Sequence, residues 1–257
     1  MAIQLSERDM MIFKFIEEHH VLLEKHIAWF ISCDEKPVLI RDRLRKLFYL
    51  DYLLCQRHAG KLPWWTTPTK PLVYMLSVMA RGMVDGADLQ MDLTDTDIQR
   101  HLLEVANLRM IFLMDQKSGL ISDFRWNTNR SDDSKLAIVP ATVSFVRNGS
   151  THRAALVNNF GIAPEKVREA SESAIAQGDV DMIWIVSSDE IQQDKLQKAM
   201  IDSTVSNRVA FATHQEIYKS GVVKSKWQSV NKQYAPVIAE SVVVVEHLNW
   251  NPTLATA

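Results

Sequence analysis

The chain has 257 residues, of which 47% are hydrophobic and 23% charged, and its formal net charge is −2. This composition argues against a disordered chain and suits one or two domains of about 100–200 residues each. No apolar run approaches the ~20 residues that span a bilayer, and the first residues lack the pattern of a secretory signal. Two cysteines are too few for a disulfide framework or a four-ligand zinc site. We therefore expect a cytoplasmic protein with no metal, no cofactor and no membrane association.

Three short helices are predicted at the start of the chain. Ser6 followed by Asp9 has the spacing of a capping box, which predicts the start of the first helix. Apolar spacing predicts a second helix over residues 23–31 and a third over residues 37–54, with Pro37 in its first turn.

The third helix is amphipathic and basic. Ile40, Leu44 and Leu47 recur at helical spacing, and basic residues occupy much of the remaining surface. Between residues 36 and 70 there are eight Lys and Arg and two acids, so the rest of the chain carries −8. Such a concentrated positive charge is typical of a DNA-binding surface, although a solvated helix face is the simpler alternative.

The predicted DNA-binding residues are Lys36, Arg41, Arg43, Arg45, Lys46, Arg57 and Lys61. Arg41 and Arg45 are expected at base edges, because arginine contacts guanine with two hydrogen bonds. The lysines and Arg57 are expected at phosphates, which fix register and make binding depend on salt. Arg43 lies at a flank of the helix, where pairing with a carboxylate of the same domain is an alternative.

A β-hairpin is predicted after the basic helix. Gly60, Pro63, Pro68 and Pro71 exclude a helix there, and Lys61 is expected near the hairpin tip. Helix, helix, basic helix and hairpin is the order of a winged helix-turn-helix. The dipeptide 64–65 contains two tryptophans, which suit either DNA stacking or core packing. We expect one ring to cover the small core, because a tryptophan side chain buries a large area.

The remainder of the chain predicts a mixed α/β domain. Ser77 begins a short helix, residues 85–92 form an acidic linker, and residues 94–116 form a long helix. Helices are also expected over residues 164–176 and 190–201. Strands are expected over residues 120–126, 136–139, 142–147, 151–157, 182–186, 208–212 and 241–246. Asn148-Gly149 is a hairpin signal. The predicted division is a winged helix-turn-helix over residues 1–90, a packing helix over 91–119 and an α/β domain over 120–257.

Several short motifs occur in order along the chain. In the first domain they are Leu5-Ser6-Glu7-Arg8-Asp9, Arg43-Leu44-Arg45-Lys46-Leu47 and Tyr74-Met75-Leu76-Ser77. In the second domain they are Pro140-Ala141, Ala155-Leu156-Val157-Asn158-Asn159 and Trp184-Ile185-Val186-Ser187. In this order the motifs resemble those of the replication-relaxation family, which includes MobC-type plasmid mobilisation proteins. The resemblance implies that the second domain has a restriction-endonuclease-like fold.

The second domain departs from that family at the positions where a nuclease needs carboxylates. Residues 134–164 contain no Asp or Glu, and Ala141, Asn158 and Asn159 stand where the resemblance would place metal ligands. Neutral amides do not neutralise Mg²⁺ as carboxylates do. We therefore expect no catalytic residues and a nuclease-like domain that is not an enzyme.

Three functions fit this pattern. The first is a double-stranded DNA-binding accessory protein of plasmid mobilisation or replication, which forms a homodimer and recruits a relaxase or another mobilisation protein. The second is a winged-helix transcriptional regulator whose second domain senses a ligand or a partner. The third, which the missing carboxylates disfavour, is a metal-dependent nuclease that uses Asp132 or Asp133.

Overall fold

The computed structural model describes residues 4–32, 37–84, 91–129, 136–159 and 161–233. In these ranges the protein is a mixed α+β structure with eight α-helices and two sheets. Lys36, Asp132 and Asp133 and the expected strand 241–246 lie outside the described residues. None of the helices in these ranges is both long and apolar enough to cross a bilayer.

The N-terminal unit, residues 4–84, contains four helices and a three-stranded sheet. Its elements are α1 (Glu7–His19), β1 (Leu22–Leu23), α2 (Glu24–Ser32), α3 (Pro37–Tyr49), β2 (Leu53–Arg57), β3 (Leu72–Leu76) and α4 (Val78–Gly82). The sheet order is β1-β3-β2 and both pairings are antiparallel. The capping box is confirmed, since Ser6 and Asp9 exchange side-chain-to-backbone hydrogen bonds at the start of α1.

The third helix is shorter than the sequence pattern predicted. It ends at Tyr49, and Asp51 adopts a positive φ of 59° that turns the chain into β2. Leu53 and Leu54, which the helical pattern had included, are strand residues with Leu53 buried and Leu54 exposed. Two consecutive leucines fit either the end of a helix or a strand, so periodicity alone cannot assign them. They are strand residues because they pair with β3.

The three-stranded sheet is covered on both faces. Leu53, Tyr74 and Leu76 lie on one face and pack with α1, α2 and α3. Val73 and Met75 lie on the other face and pack with Leu62 and Trp64 of the β2–β3 connection and with the long helix α5 (Thr96–Lys117). The sheet therefore joins the three-helix core to the rest of the molecule.

The C-terminal unit, residues 120–233, is a five-stranded sheet with helices on both faces. Its elements are β4 (Ser122–Thr128), β5 (Ala141–Arg147), β6 (Ser150–Asn159), α6 (Pro164–Ala176), β7 (Met182–Ser187), α7 (Glu190–Ala199), β8 (Val209–Thr213) and α8 (His214–Ser220). The order is β4-β5-β6-β7-β8, with β4, β5 and β6 antiparallel and β6, β7 and β8 parallel. Helices α6 and α7 pack on one face, and α5 and α8 on the other.

Most of the expected elements of this unit are confirmed. Asn148 and Gly149 both have positive φ, of 49° and 76°, which suits the tight hairpin that joins β5 to β6. The strand expected over residues 136–139 is wrong, because those residues form no strand. Strand β1 and helix α8 were not predicted. Both are too short to show a periodic pattern, and long-range contacts form them.

Helix α5 connects the two units. Arg109 donates to Glu18 Oε2 at 2.8 Å and hydrogen-bonds His19 Nε2 at 2.8 Å, both on α1. Its guanidinium also lies 4.9 Å from the centroid of the Phe30 ring on α2. Glu18 in turn accepts a 2.6 Å hydrogen bond from Thr128 of β4. These contacts hold the N-terminal unit against the five-stranded sheet.

Candidate nucleic-acid interface

Helix α3 has one buried face and one exposed polar face. Ile40, Leu44 and Leu47 are at most 1% exposed and pack into the N-terminal core. Among helix residues 40–49, whose side chains the structure describes, the exposed ones are Arg41, Asp42, Arg45, Lys46, Phe48 and Tyr49. Tyr49 is 74% exposed and Phe48 is 41% exposed. The helix therefore presents basic and aromatic groups together.

Arg41 is paired with a glutamate of the preceding helix. Its Nε lies 3.1 Å from both carboxylate oxygens of Glu24, and its Nη2 lies 3.0 Å from Oε1. The Arg41 side chain is still 56% exposed. Since an exposed ion pair contributes only about 0–1 kcal/mol, the guanidinium can exchange Glu24 for another anion at small cost.

Arg43 has a structural partner. Its Nε donates to Asp9 Oδ1 at 2.6 Å, and its Nη2 contacts Oδ2 of the same carboxylate, which is fully buried. Burial raises the pKa of Asp9, but the hydrogen bonds from Arg43 and Ser6 outweigh it and hold that pKa below its ordinary value. The alternative that the sequence left open, pairing with a carboxylate of the same domain, is what the structure contains.

Arg45 and Lys46 point away from the core. Arg45 has a loose contact of 4.0 Å with Asp42 one turn earlier, and both side chains are more than 60% exposed. Lys46 is exposed as well. Of the arginines predicted at base edges, Arg45 is the less tightly held by its own protein, because Arg41 has the closer carboxylate.

The β2–β3 connection contains both buried and exposed residues. Lys61 is exposed, Leu62 and Trp64 are buried, and residues 66–70 are exposed. Arg57 Nη1 donates to the Lys70 carbonyl at 3.2 Å across the connection. The expectation for the tryptophan pair is confirmed, because Trp64 is only 2% exposed and covers core residues.

A second polar cluster lies inside the C-terminal unit, near the carboxyl end of β6. Glu104 of α5 accepts from Arg100 Nε at 3.0 Å and from Asn158 Nδ2 at 3.3 Å. Asn158 Oδ1 accepts from His214 Nε2 at 2.6 Å, and Asn158 Nδ2 lies 3.3 Å from His101 Nδ1. The sequence pattern did not indicate this cluster, because its members lie on α5, β6 and α8 and meet only in the folded chain.

Both histidines of this cluster are held neutral. Burial lowers the pKa of His101 to about 4 and lowers that of His214 as well. Ala141 on the neighbouring strand β5 is buried beside Leu156 and supplies no ligand. Within the described ranges, no group of three or more His, Cys, Asp or Glu is arranged to hold a metal ion. The cluster is thus a closed hydrogen-bond network.

Comparison with protein-family models, with curated proteins and with solved structures finds no match to this chain.

Proposed function

We propose that this protein binds double-stranded DNA in a sequence-specific manner and inserts α3 into the major groove. The observation that carries the proposal is the exposed face of α3, where Arg41, Arg45 and Lys46 stand outside a fully buried apolar stripe. A helix anchored in this way is rigid, and the exposed side chains of Arg45 and Lys46 are placed to meet the polyanion.

The order of elements around α3 supports a winged helix-turn-helix. Two helices precede α3, and the antiparallel pair β2 and β3 follows it, with β1 closing the small sheet in the order β1-β3-β2. In this arrangement the second and third helices form the helix-turn-helix and the β2–β3 connection forms the wing. The exposed residues 66–70, with Arg57 and Lys61, would then lie beside the DNA backbone.

The contacts within the molecule support proposing different roles for the arginines. Arg45 is proposed at a base edge, since its own partner Asp42 is 4.0 Å away. Arg41 has to leave Glu24, so its contribution should be smaller. Lys46, Arg57 and Lys61 are proposed at phosphates. The proposal does not need Arg43, because that side chain holds α3 to α1 through Asp9.

For the C-terminal unit we propose a nuclease-like fold without catalysis. The run α5, β4, β5, β6, α6, β7 gives a mixed sheet in which three antiparallel strands are followed by a parallel crossover. Among the described residues, Glu104 is a carboxylate in contact with Asn158, and Arg100 also binds it. One carboxylate with a cation beside it is a poor site for Mg²⁺.

The biological role proposed for these properties is that of an accessory protein in plasmid mobilisation or replication. A homodimer would place two copies of α3 on half-sites about one helical turn apart and recruit a relaxase. A second candidate is a transcriptional regulator with a sensing C-terminal unit. The contacts of Arg109 with α1 and α2 favour it, because they allow one unit to influence the other.

The proposal is tested by fluorescence anisotropy with duplexes selected from a random pool, across a salt series. Arg45→Ala should weaken binding to the selected duplex by about 1–3 kcal/mol and relax the preference at one base pair. Arg41→Ala should cost less. Lys61→Ala should lower the salt slope by about 1 and leave the sequence preference unchanged.

The matched control is Lys166→Ala, an exposed lysine on α6 of the C-terminal unit. It should bind the selected duplex like the wild type. If Arg45→Ala and Arg41→Ala together also bind like the wild type, α3 does not read DNA. If the protein selects no duplex from the random pool, the proposal of sequence-specific DNA binding is wrong.

The non-catalytic assignment has a separate test. Supercoiled plasmid incubated with the protein and Mg²⁺ or Mn²⁺ should remain intact. Cleavage that Asp132→Asn or Asp133→Asn abolishes would replace this assignment with the nuclease hypothesis.

A further inference from the structure

A cleft of about 570 Å³ lies where α2, α5 and α8 meet. Its lining comes from both units, with Lys25 on α2, residues 110–120 on α5 and just beyond it, and residues 218–224 on α8 and the turn after it. Cavities that hold small ligands usually measure about 300–1,000 Å³, so the cleft is large enough for one.

The charge of the cleft is positive. Lys25, Lys219 and Lys224 line it, and Asp115 is the one carboxylate among its described lining residues. Asp115 is only 5% exposed, and its Oδ2 already accepts hydrogen bonds from the backbone N–H groups of Val222 and Val223 at 2.9 and 3.0 Å. The acid is therefore engaged by the backbone, while Lys219 and Lys224 are exposed.

The shape of the cleft is fixed by the turn after α8. Gly221 has a φ of +80°, and a Cβ built there would lie 2.5 Å from Asp115 Oδ1. The close approach of this turn to α5 is thus possible only for glycine, and it holds the segment that carries Lys219 and Lys224 against the cleft.

Part of the cleft wall is apolar. Met110, Ile111 and Leu120 line it, and Met114 and Tyr218 are 38% and 41% exposed at its side. Methionine side chains adapt to ligands of different shape, and a half-exposed tyrosine ring offers a flat stacking surface.

Lys25 lines the cleft from α2 of the N-terminal unit. Its Nζ lies 5.6 Å from the ring centroids of both Trp64 and Tyr218, one from each unit. An anion that contacts Lys25 together with Lys219 or Lys224 would contact both units at once.

We propose that this cleft binds an organic anion, a ligand with an apolar or aromatic body and one acidic group. The lysines would hold the acidic group, and the methionines and Tyr218 would cover the body. Because the ligand would bridge α2 and α8, it would change how the N-terminal unit is held relative to the five-stranded sheet. This inference does not depend on DNA binding.

The test uses two dyes with the same ring system on the full chain in the absence of DNA. 1-Anilinonaphthalene-8-sulfonate carries a sulfonate, and N-phenyl-1-naphthylamine is its neutral counterpart. The sulfonate should saturate one site per chain, and the neutral dye should bind about tenfold more weakly at low salt. The difference should shrink as salt is added.

The variants locate the site. Lys219→Gln with Lys224→Gln should weaken the sulfonate by about four- to tenfold and leave the neutral dye unchanged. Met114→Glu, which places a carboxylate at the half-exposed side of the cleft, should weaken the sulfonate more than the neutral dye. Lys195→Gln, an exposed lysine on α7 outside the cleft, is the control and should bind both dyes like the wild type.

Equal affinity for the two dyes, dye binding that does not saturate, or sulfonate binding unaffected by the double lysine variant would each overturn the proposal. All changed side chains are exposed, so the variants should melt like the wild type. If the double lysine variant melts at a lower temperature than the wild type, Lys219→Gln alone is used in its place. Absence of DNA binding would leave this result untouched.

Discussion

Mild acid should destabilise this protein, because four of its buried histidines have a pKa below the ordinary value. His19, His26, His101 and His214 are each at most 3% exposed. Burial lowers the pKa of all four in the folded chain, to about 4 for His101. In the unfolded chain each returns to about 6.5. Below that pH the unfolded chain takes up protons that the folded chain does not, so the free energy of unfolding falls as pH falls.

The size of the effect follows from the proton uptake. At about pH 5.5 His101, whose pKa is about 4 in the folded chain, lowers the free energy of unfolding by about 1.4 kcal/mol, whereas at about pH 7.5 the loss is below about 0.1 kcal/mol. His19, His26 and His214 add to this loss in the same direction, because burial lowers the pKa of each in the folded chain. Asp9 does not contribute in this window, because its pKa lies below 3.8 and its stabilisation is lost only at lower pH.

The measurement is urea unfolding followed by tryptophan fluorescence, in steps between about pH 7.5 and about pH 5.5 at constant ionic strength. His101→Gln should recover about 1.4 kcal/mol of the loss, since it removes one of the four sites. A free energy of unfolding that stays within about 1 kcal/mol over this range would refute the reasoning, since His101 alone should change it by more than that.

Three substitutions test other contacts. Gly221→Ala should cost about 2–4 kcal/mol in thermal melts, because the new Cβ meets Asp115. Gly178→Ala, at a similar positive φ but in open space, should cost only about 1 kcal/mol. Equal losses of stability in the two variants would show that the contact with Asp115 does not contribute. Arg43→Ala should cost about 3–5 kcal/mol in urea, because it leaves a buried carboxylate unpaired, and a loss below about 1 kcal/mol would contradict this. Arg109→Ala should cost about 2–3 kcal/mol and expose the junction of α1 and α5 to proteolysis. If the variant resists proteolysis as well as the wild type, contacts other than those of Arg109 hold the junction.

Much of the fold could be predicted from local pattern. Helix α6 has the predicted bounds, Pro164–Ala176, and the capping box of α1 and the Asn148-Gly149 hairpin are where the sequence signals them. These features depend on residues that are close in the chain, so they show in the sequence. The end of α3 cannot be predicted in this way, because Leu53 and Leu54 fit a helix or a strand equally well until they pair with β3.

The sequence by itself determined which residues are basic and which form an apolar stripe, and hence that α3 has a core face and a charged face. Only the tertiary structure decided how free each arginine is, because Asp9 and Glu24 are 34 and 17 residues away from Arg43 and Arg41. The same holds for the cluster around Glu104 and for the cleft lined by Lys25 and Tyr218. Their members come from elements far apart in the chain, so no local sequence pattern predicts that they will contact one another.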